Sequence, residues 1–477
     1  MISVINPPNP PGAVSNKDMM GGFGQLYNQP CSTKIPPIDL PYIAAVLREN
    51  NISFDLVDCL GNDWDKNQLL SHLEQQKPTI VAVRTSTPSF EWDMCVVYDI
   101  KSRINAKIVI FGPQVSLFPM ETLERKFIDA IIIGEPELTI LDLATKNAFS
   151  DCDGIWYTEN DKIIKNALRE SINNLDLLPY PAWDLLPITA YDGGSDLMRN
   201  MKPFVIVQTS RGCPHGCAYC PYPIAQGKKL RLRSPDNVIH ELMWLVNTLH
   251  VKAILFRDPE FAIQKERVRK ICQGIIENRL SFIWRCETRI ENLDENLIDI
   301  MAKAGCIGIN MGIESSDKDV LQNVGRKAVS LEYAKKIVDF CKKKKIDTFC
   351  FFIVGLPKET RKSTLKTINY AVKLNSNFSQ FTVATPYFGT KLRDWAEKNN
   401  FIECNSNSNL TGYNVAMKNE NLSVYDIQEL YYFANKSLEM QPKNIIRRIM
   451  AHPFSSANEL KQLLNFEIMK FKLYIKR

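Results

Sequence analysis

The sequence predicts an α/β protein: a doubly wound parallel sheet, a partial barrel of six strand–helix units, and a mostly helical C-terminal segment. Three observations carry this expectation. Short β-branched runs alternate with helix-period stretches in two separate blocks, each repeat about the length of one strand–helix unit. A proline-rich stretch without long periodic runs separates the blocks. At 477 residues, the chain is also too long for one core.

The first block covers residues 1–147. Strand-like runs lie at 2–5, 54–57, 79–83, 107–111 and 130–133, with helical patterns at 40–49, 64–75, 91–104 and 137–145 between them. Such alternation calls for a parallel sheet covered on both faces, with ligands beyond the carboxyl ends of the strands. The strand-end loops are then 6–12, 85–88, 112–115 and 134–137. None carries G-x-G-x-x-G, so a dinucleotide has little support. Residues 148–200 read as a connector. A hairpin from 155–157 and 162–164 is followed by LPYPAWDLLP at 178–187, whose prolines prevent long regular elements. Trp183 in that stretch reads as a buried anchor.

The second block covers residues 201–404. Its strands are expected at 204–208, 253–256, 282–286, 307–312, 348–354 and 380–384, and its helices at 235–249, 264–278, 294–304, 331–343 and 360–374. A partial barrel follows, with its site at the carboxyl ends of the strands. The first strand leads into SRGCPHGCAYCPY at 210–222, where Cys213, Cys217 and Cys220 stand in C-x₃-C-x₂-C spacing. Three thiolates in one loop can hold three irons of a 4Fe–4S cluster and leave the fourth open to a small molecule; structural clusters use four. Zinc is the plainer alternative, but a structural zinc site wants four Cys or His ligands, usually in two pairs. No second C-x₂-C pair occurs, and His215 lies awkwardly between the first two cysteines.

The other strand ends carry polar residues that apolar packing does not need: Arg257, Asp258 and Glu260; Glu287 and Arg289; Glu314 and Ser315; and VGLPKET at 354–360. Singly, each reads equally well as a helix cap or surface charge. Residues 405–477 offer aromatics such as Tyr413 and Tyr425 and a basic tail containing Arg447 and Arg448, and read as a helical lid over the barrel mouth.

Composition narrows the class. A hydrophobic content of 45% suits globular domains. No apolar run approaches the roughly 20 residues that span a bilayer. The N-terminus lacks the charged and apolar regions of a secretion signal, so a cytoplasmic location is expected, with the 13 cysteines reduced. The net charge of +6 is modest, and no basic stripe interleaved with aromatics is evident, so no nucleic-acid partner is expected. Contact of the basic tail with a membrane surface is an option resting on charge alone.

The cysteine triplet, with Tyr219 before its last member and a strand before its first, resembles the radical S-adenosylmethionine (SAM) superfamily. That resemblance implies a 4Fe–4S cluster on Cys213, Cys217 and Cys220 whose open iron chelates SAM, with Tyr219 near the adenine. An electron from the cluster then cleaves SAM to a 5′-deoxyadenosyl radical. It further implies that Asp258 and Glu260 face the SAM amino group and that Arg289 meets its carboxylate. Glu314 and Ser315 would bind the ribose hydroxyls, and Gly355 would let the backbone approach the adenosyl group. In the first block, the opening Asn6-Pro7-Pro8, GPQVS at 112–116 and IGEPE at 133–137 resemble the cobalamin-binding (B12-binding) domain, a Rossmann-like unit that precedes many radical SAM domains. The corrin would then be held by Asn6, Pro7, Thr85, Ser86, Gly112, Pro113, Gln114, Gly134 and Glu135. The Asp-x-His-x-x-Gly motif is missing and His72 sits mid-helix, so no histidine is expected on cobalt.

Together the two resemblances imply a cobalamin-dependent radical SAM enzyme, first of all a methyltransferase acting on an unactivated carbon of a small-molecule or lipid substrate. One SAM would methylate reduced cobalt, a second would give the radical, and the substrate radical would take its methyl from methylcobalamin. An external electron donor of flavodoxin or ferredoxin type is implied. A non-methylating member, cyclising or rearranging rings in lipid or pigment biosynthesis, matches residues 1–400 equally well. Methylthio transfer to tRNA fits less well, because that family wants three further cysteines in its N-terminal domain. From another class, a zinc- or nucleic-acid-binding module without catalysis remains the alternative.

Overall fold

The computed structural model describes residues 1–28, 33–193, 198, 201–442 and 444–445, so the basic tail lies outside the described residues. The first block contains β1 (Ile2–Asn6), β2 (Ala13–Asn16), β3 (Gln25–Asn28), β4 (Phe54–Asp58), β5 (Ile80–Arg84), β6 (Lys107–Phe111), β7 (Ala130–Ile132), β8 (Ile155–Glu159) and β9 (Lys162–Lys165). Seven of these form one sheet in the order β4-β1-β5-β6-β7-β8-β9. Pairing is parallel from β4 to β7 and antiparallel from β7 to β9.

Alternate residues of the parallel strands serve opposite faces. Ile5, Val83 and Ile110 pack against helices Lys66–Gln76 and Phe90–Arg103. Val4, Ala82 and Val109 pack against helices Asp39–Glu49 and Glu137–Lys146. Each fully buried valine or isoleucine side chain there contributes about 1.5–3 kcal/mol. The sheet is therefore covered on both faces, as the near-continuous apolar strands require. The hairpin β8–β9, read from sequence as part of the connector, instead extends this sheet and covers the edge that three-residue β7 leaves open. Trp183 is fully buried, as its place in the connector suggested.

The second block contains β10 (Phe204–Val207), β11 (Ser210–Arg211), β12 (Arg231–Leu232), β13 (Ala253–Phe256), β14 (Ile283–Arg289), β15 (Cys306–Glu314), β16 (Asp347–Val354) and β17 (Phe378–Val383). Six of them form an all-parallel sheet in the order β10-β13-β14-β15-β16-β17. Among the described residues β10 and β17 do not pair, so the barrel stays open. Strands β14 and β15 run further than the sequence suggests, because their ladder continues through Glu287↔Asn310 and Arg289↔Gly312. Glu287, Arg289 and Glu314 are thus terminal strand residues with fixed directions.

Helix Val424–Glu439 does not lie over the barrel mouth. It covers the outer edge of β17, where Phe381 N–H donates to Asn435 Oδ1 (3.2 Å) and Asn435 Nδ2 donates to Phe381 C=O (3.3 Å). The hairpin β2–β3 is an element the sequence reading lacked. Eight residues join its strands, with no two-residue turn signal. Its loop is wedged between the first sheet and the barrel: Thr87 N–H donates to Phe23 C=O (2.9 Å), and Arg257 donates to Asp18 C=O (3.3 Å). A buried Lys17–Asp93 ion pair of 2.6 Å anchors it.

Candidate active site

Strand β10 ends in a loop that other chain segments hold in place. Thr209 N–H (2.7 Å), Thr209 Oγ1 (2.6 Å) and Ser210 N–H (2.6 Å) all donate to Asp258, and Arg211 pairs with Arg231 across β11–β12. Gly212 has φ +82°, and a Cβ there would stand 2.1 Å from the Lys229 carbonyl oxygen, so the approach excludes any side chain. Cys213 N–H donates to Gly227 C=O (3.1 Å), Cys220 N–H to Cys217 C=O (3.2 Å), and Ala218 N–H to Val324 C=O (2.8 Å).

The three cysteines line one cavity of ≈390 Å³ at the barrel mouth. Burial pushes the Cys220 thiol up to about 12 and raises Cys213 as well; coordination to a cluster would offset this, because a coordinating thiol is deprotonated. Among the described residues, no three His, Cys, Asp or Glu side chains are placed to hold one metal ion. His215 pairs with Glu260 instead. Three thiols around an open cavity suit a body larger than a single ion, and the donor set fits a cluster with one iron left open.

Tyr219, Glu260, Arg289 and Glu314 line the same cavity. Glu314 has φ +66°, sits at a register shift between β15 and β16, and is buried. Strain of this kind persists only where the surroundings over-determine it. Burial raises the Glu314 carboxyl, and Arg326 at 3.6 Å works against that rise. A Cβ on Gly312 would stand 2.3 Å from Glu314 Oε1, so glycine there gives the carboxylate its room. Arg289 Nε lies 3.0 Å from Glu291 Oε1, an ion pair, while its Nη2 makes no hydrogen bond among the described residues, leaving a donor for a carboxylate.

Three residues expected at SAM stand elsewhere. The carboxylate of Asp258 is saturated by the cysteine-loop donors named above, so it positions the loop and does not reach the cavity. Ser315 is buried with its hydroxyl against Thr367 (3.3 Å) and outside the cavity lining. Gly355 faces Ile427 of the C-terminal helix, and its N–H donates to Glu359 (2.6 Å). The sequence reading missed Arg326, whose Nη2 donates to Gly312 C=O (2.5 Å) and Nη1 to Tyr219 Oη (3.3 Å). It ties the tyrosine, the glycine and Glu314 together.

A second cavity of ≈260 Å³ lies beyond the carboxyl ends of the first sheet, where doubly wound sheets bind ligands. Gly112, Pro113, Gly134 and Glu135 line it. Gly134 has nothing within 4 Å of where a Cβ would stand, so its backbone opens onto the space. Its charges are already balanced, Arg84 by Asp18 and Asp39 and Glu137 by Arg211, which suits a ligand rich in neutral donors and acceptors such as a corrin.

Asn6, Pro7, Thr85, Ser86 and Gln114 line neither of these two cavities. Asn6 donates to Asp58 (2.6 Å), Thr85 to Phe111 C=O (3.1 Å), Ser86 shares a hydrogen bond with Ser89 (2.8 Å), and Gln114 accepts from Thr87 (3.0 Å). Pro7 is buried. The Glu135 carboxylate is taken by Arg231 (2.8 Å), Arg211 (3.2 Å) and Ile172 N–H (2.8 Å). Burial opposes its charge, but the two guanidiniums outweigh burial and hold it below the usual carboxylate range. Glu135 therefore clamps the two blocks together. Tyr222 and Arg257 line both cavities and form their common wall.

Both blocks match known families. Residues 207–371 match the radical SAM superfamily and residues 27–144 match the B12 binding domain. An uncharacterized methyltransferase of Pyrococcus horikoshii is 32% identical over 424 residues, which is 87% of this chain and 90% of that one. The anaerobic magnesium-protoporphyrin IX monomethyl ester cyclase of Rubrivivax gelatinosus is 28% identical over 369 residues, which is 74% of this chain and 64% of that one. The fold is shared with the radical SAM methyltransferase TsrM from Kitasatospora setae, solved with cobalamin and a 4Fe–4S cluster bound. There the TM-score is 0.69 at 18% identity, over 93% of this chain and 89% of that one. This chain belongs to the radical SAM superfamily and carries a B12-binding domain ahead of its radical SAM domain.

Proposed function

We propose that the protein is a cobalamin-dependent radical SAM methyltransferase acting on a carbon of a small-molecule or lipid substrate. The observation that carries this is the common wall of Tyr222 and Arg257: the cavity lined by the three cysteines adjoins the one at the strand ends of the B12-binding domain. Cys213, Cys217 and Cys220 would hold the cluster, Glu260 and Arg289 the charged ends of SAM, Glu314 and Tyr219 its nucleoside, and Gly112, Pro113 and Gly134 the corrin. Bound there, the cluster and SAM supply radical chemistry and the corrin a transferable methyl group.

The chain's own part is positioning. Asp258 fixes the cysteine loop, Arg326 aims Glu314 and Tyr219, and Phe351 and Ile353 help keep water from the cavity. The cobalamin unit comprises 1–147 together with β8–β9, the barrel unit 201–404, and helix Val424–Glu439 closes the barrel's side. No helix among the described residues is long and apolar enough to cross a membrane. We assign the protein to the reducing cytoplasm, with an external electron donor of flavodoxin or ferredoxin type.

The test is turnover with methyl-labelled SAM followed by mass analysis of the product. A labelled product supports the proposal. An unlabelled, rearranged product would instead favour the non-methylating reading, for which the similarity to the cyclase speaks.

A further inference from the structure

Charge is distributed unevenly around the cysteine cavity. Its charged groups lie on the walls built by the cysteine loop and by β13, β14, β15 and the loops after them, and each has an opposite partner. Glu260 pairs with His215, Glu287 with Arg257 (2.6 Å), Arg289 with Glu291 (3.0 Å), and Glu314 with Arg326 (3.6 Å). Among the described residues, the wall made by β16, β17, the N-terminal hairpin and the turn at 412–413 lines the cavity with no charged side chain. It presents Met20, Tyr27, Phe351 and Tyr413, together with the amides Gln25 and Gln380. The Tyr27 and Tyr413 rings stand 6.3 Å apart with their planes at 52°. Gln380 Nε2 donates to Tyr413 Oη (3.3 Å), and Tyr27 Oη donates to Gln25.

We infer that this wall is the substrate side of the site and that it takes an uncharged, flat, largely apolar molecule carrying hydroxyl or carbonyl groups. A phosphate or carboxylate set against it would be buried without a cation, at a cost well beyond what hydrogen bonds from amides recover. A flat ring gains from the faces of Tyr27, Tyr413 and Phe351 and from the adaptable Met20 thioether. The amides and phenols of Gln25, Gln380, Tyr27 and Tyr413 both donate and accept, so they orient neutral oxygens. The wall thereby selects against nucleotide-like and other anionic substrates.

This inference depends on the proposed function for the word substrate, but its test does not, because it reads binding and not turnover. Binding of 2-naphthol and of 2-naphthoate to the full chain is measured by equilibrium dialysis at neutral pH with excess methionine present, whose carboxylate occupies Arg289 on the charged side of the cavity. The neutral probe binds at least roughly tenfold more tightly than the carboxylate, equivalent to about 1.4 kcal/mol. Thr382→Trp, which fills space at this wall, lowers 2-naphthol affinity at least roughly tenfold. Gln380→Lys places a cation there and raises 2-naphthoate affinity by a similar factor. Equal affinity of the unaltered chain for the two probes would overturn the inference. So would 2-naphthol binding that ignores Thr382→Trp, or an unchanged preference in Gln380→Lys. A chain that passes these tests yet fails to use methyl-labelled SAM refutes the proposed function and leaves the charge selectivity of the wall standing.

Discussion

Gly312→Ala tests the geometry around Glu314 with the smallest possible change. The added Cβ would stand 2.3 Å from Glu314 Oε1 and 3.3 Å from Arg326 Nη2. Carbon–oxygen contact at ordinary distance requires the carboxylate to move by about 1 Å. Glu314 is held by a register shift, a left-handed backbone and Arg326, so it has little freedom to move and keep its direction. Overpacking of this kind costs about 1–3 kcal/mol of stability, which a chain of this size tolerates. The larger effect falls on SAM. Loss of a charge-assisted pair of hydrogen bonds to the ribose costs about 1.5–3 kcal/mol, a drop of roughly ten- to 150-fold in affinity. The assay is equilibrium dialysis of SAM against anaerobically reconstituted protein, with iron content and the cluster's electron paramagnetic resonance signal as controls. SAM affinity within about twofold of the unaltered protein, with an intact cluster, would refute the role given to Glu314.

Three further outcomes are expected. Cys217→Ser, at a half-buried position, should fail to form the cluster while its melting temperature stays near that of the unaltered chain; a brown, iron-replete variant would contradict the assignment. Glu135→Ala removes the partner shared by Arg211 and Arg231 at the junction of the blocks, and breaking so buried a network should cost about 3–5 kcal/mol in denaturant unfolding; a loss under about 0.5 kcal/mol would show that the clamp is ornamental. Burial pushes the fully buried Glu359 up to about 8 from the usual 4.5, despite N–H donation from Gly355 and Leu356. Because the folded value is the higher one, its stabilisation is complete below the unfolded value and is lost as pH rises through about 8. Glu359→Gln should therefore gain stability relative to the parent between pH ~5 and ~8, and parallel stability–pH curves for the two would be the contrary result.

What could be read from the sequence was whatever local spacing fixes. The cysteine triplet sits in eight consecutive residues, and the strands announce themselves as apolar β-branched runs. Of the residues lining the cavity, Glu260, Arg289 and Glu314 were legible because they lie at or shortly after strand ends, and Tyr219 because it stands inside the cysteine motif. Arg326 was not, because it reaches Glu314 from a turn twelve positions downstream that has no pattern of its own. Asp258 and Ser315 misled for a physical reason: a polar residue at a strand end serves as readily to satisfy loop N–H groups or a neighbouring hydroxyl as to meet a ligand. Asn6 likewise belongs to a buried set with Asp58 and Tyr191, and Tyr191 lies 133 positions from its partner. The hairpin β2–β3 escaped because its four-residue strands gain their stability from the two domains on either side.

The most direct test of the central claim is anaerobic reconstitution of the full chain with iron, sulfide and hydroxocobalamin, followed by gel filtration and metal and corrin analysis. The expected result is one cluster of about four irons on Cys213, Cys217 and Cys220, with one corrin that travels with the protein and SAM cleavage on reduction. A colourless chain that takes up zinc and leaves the corrin behind would contradict it.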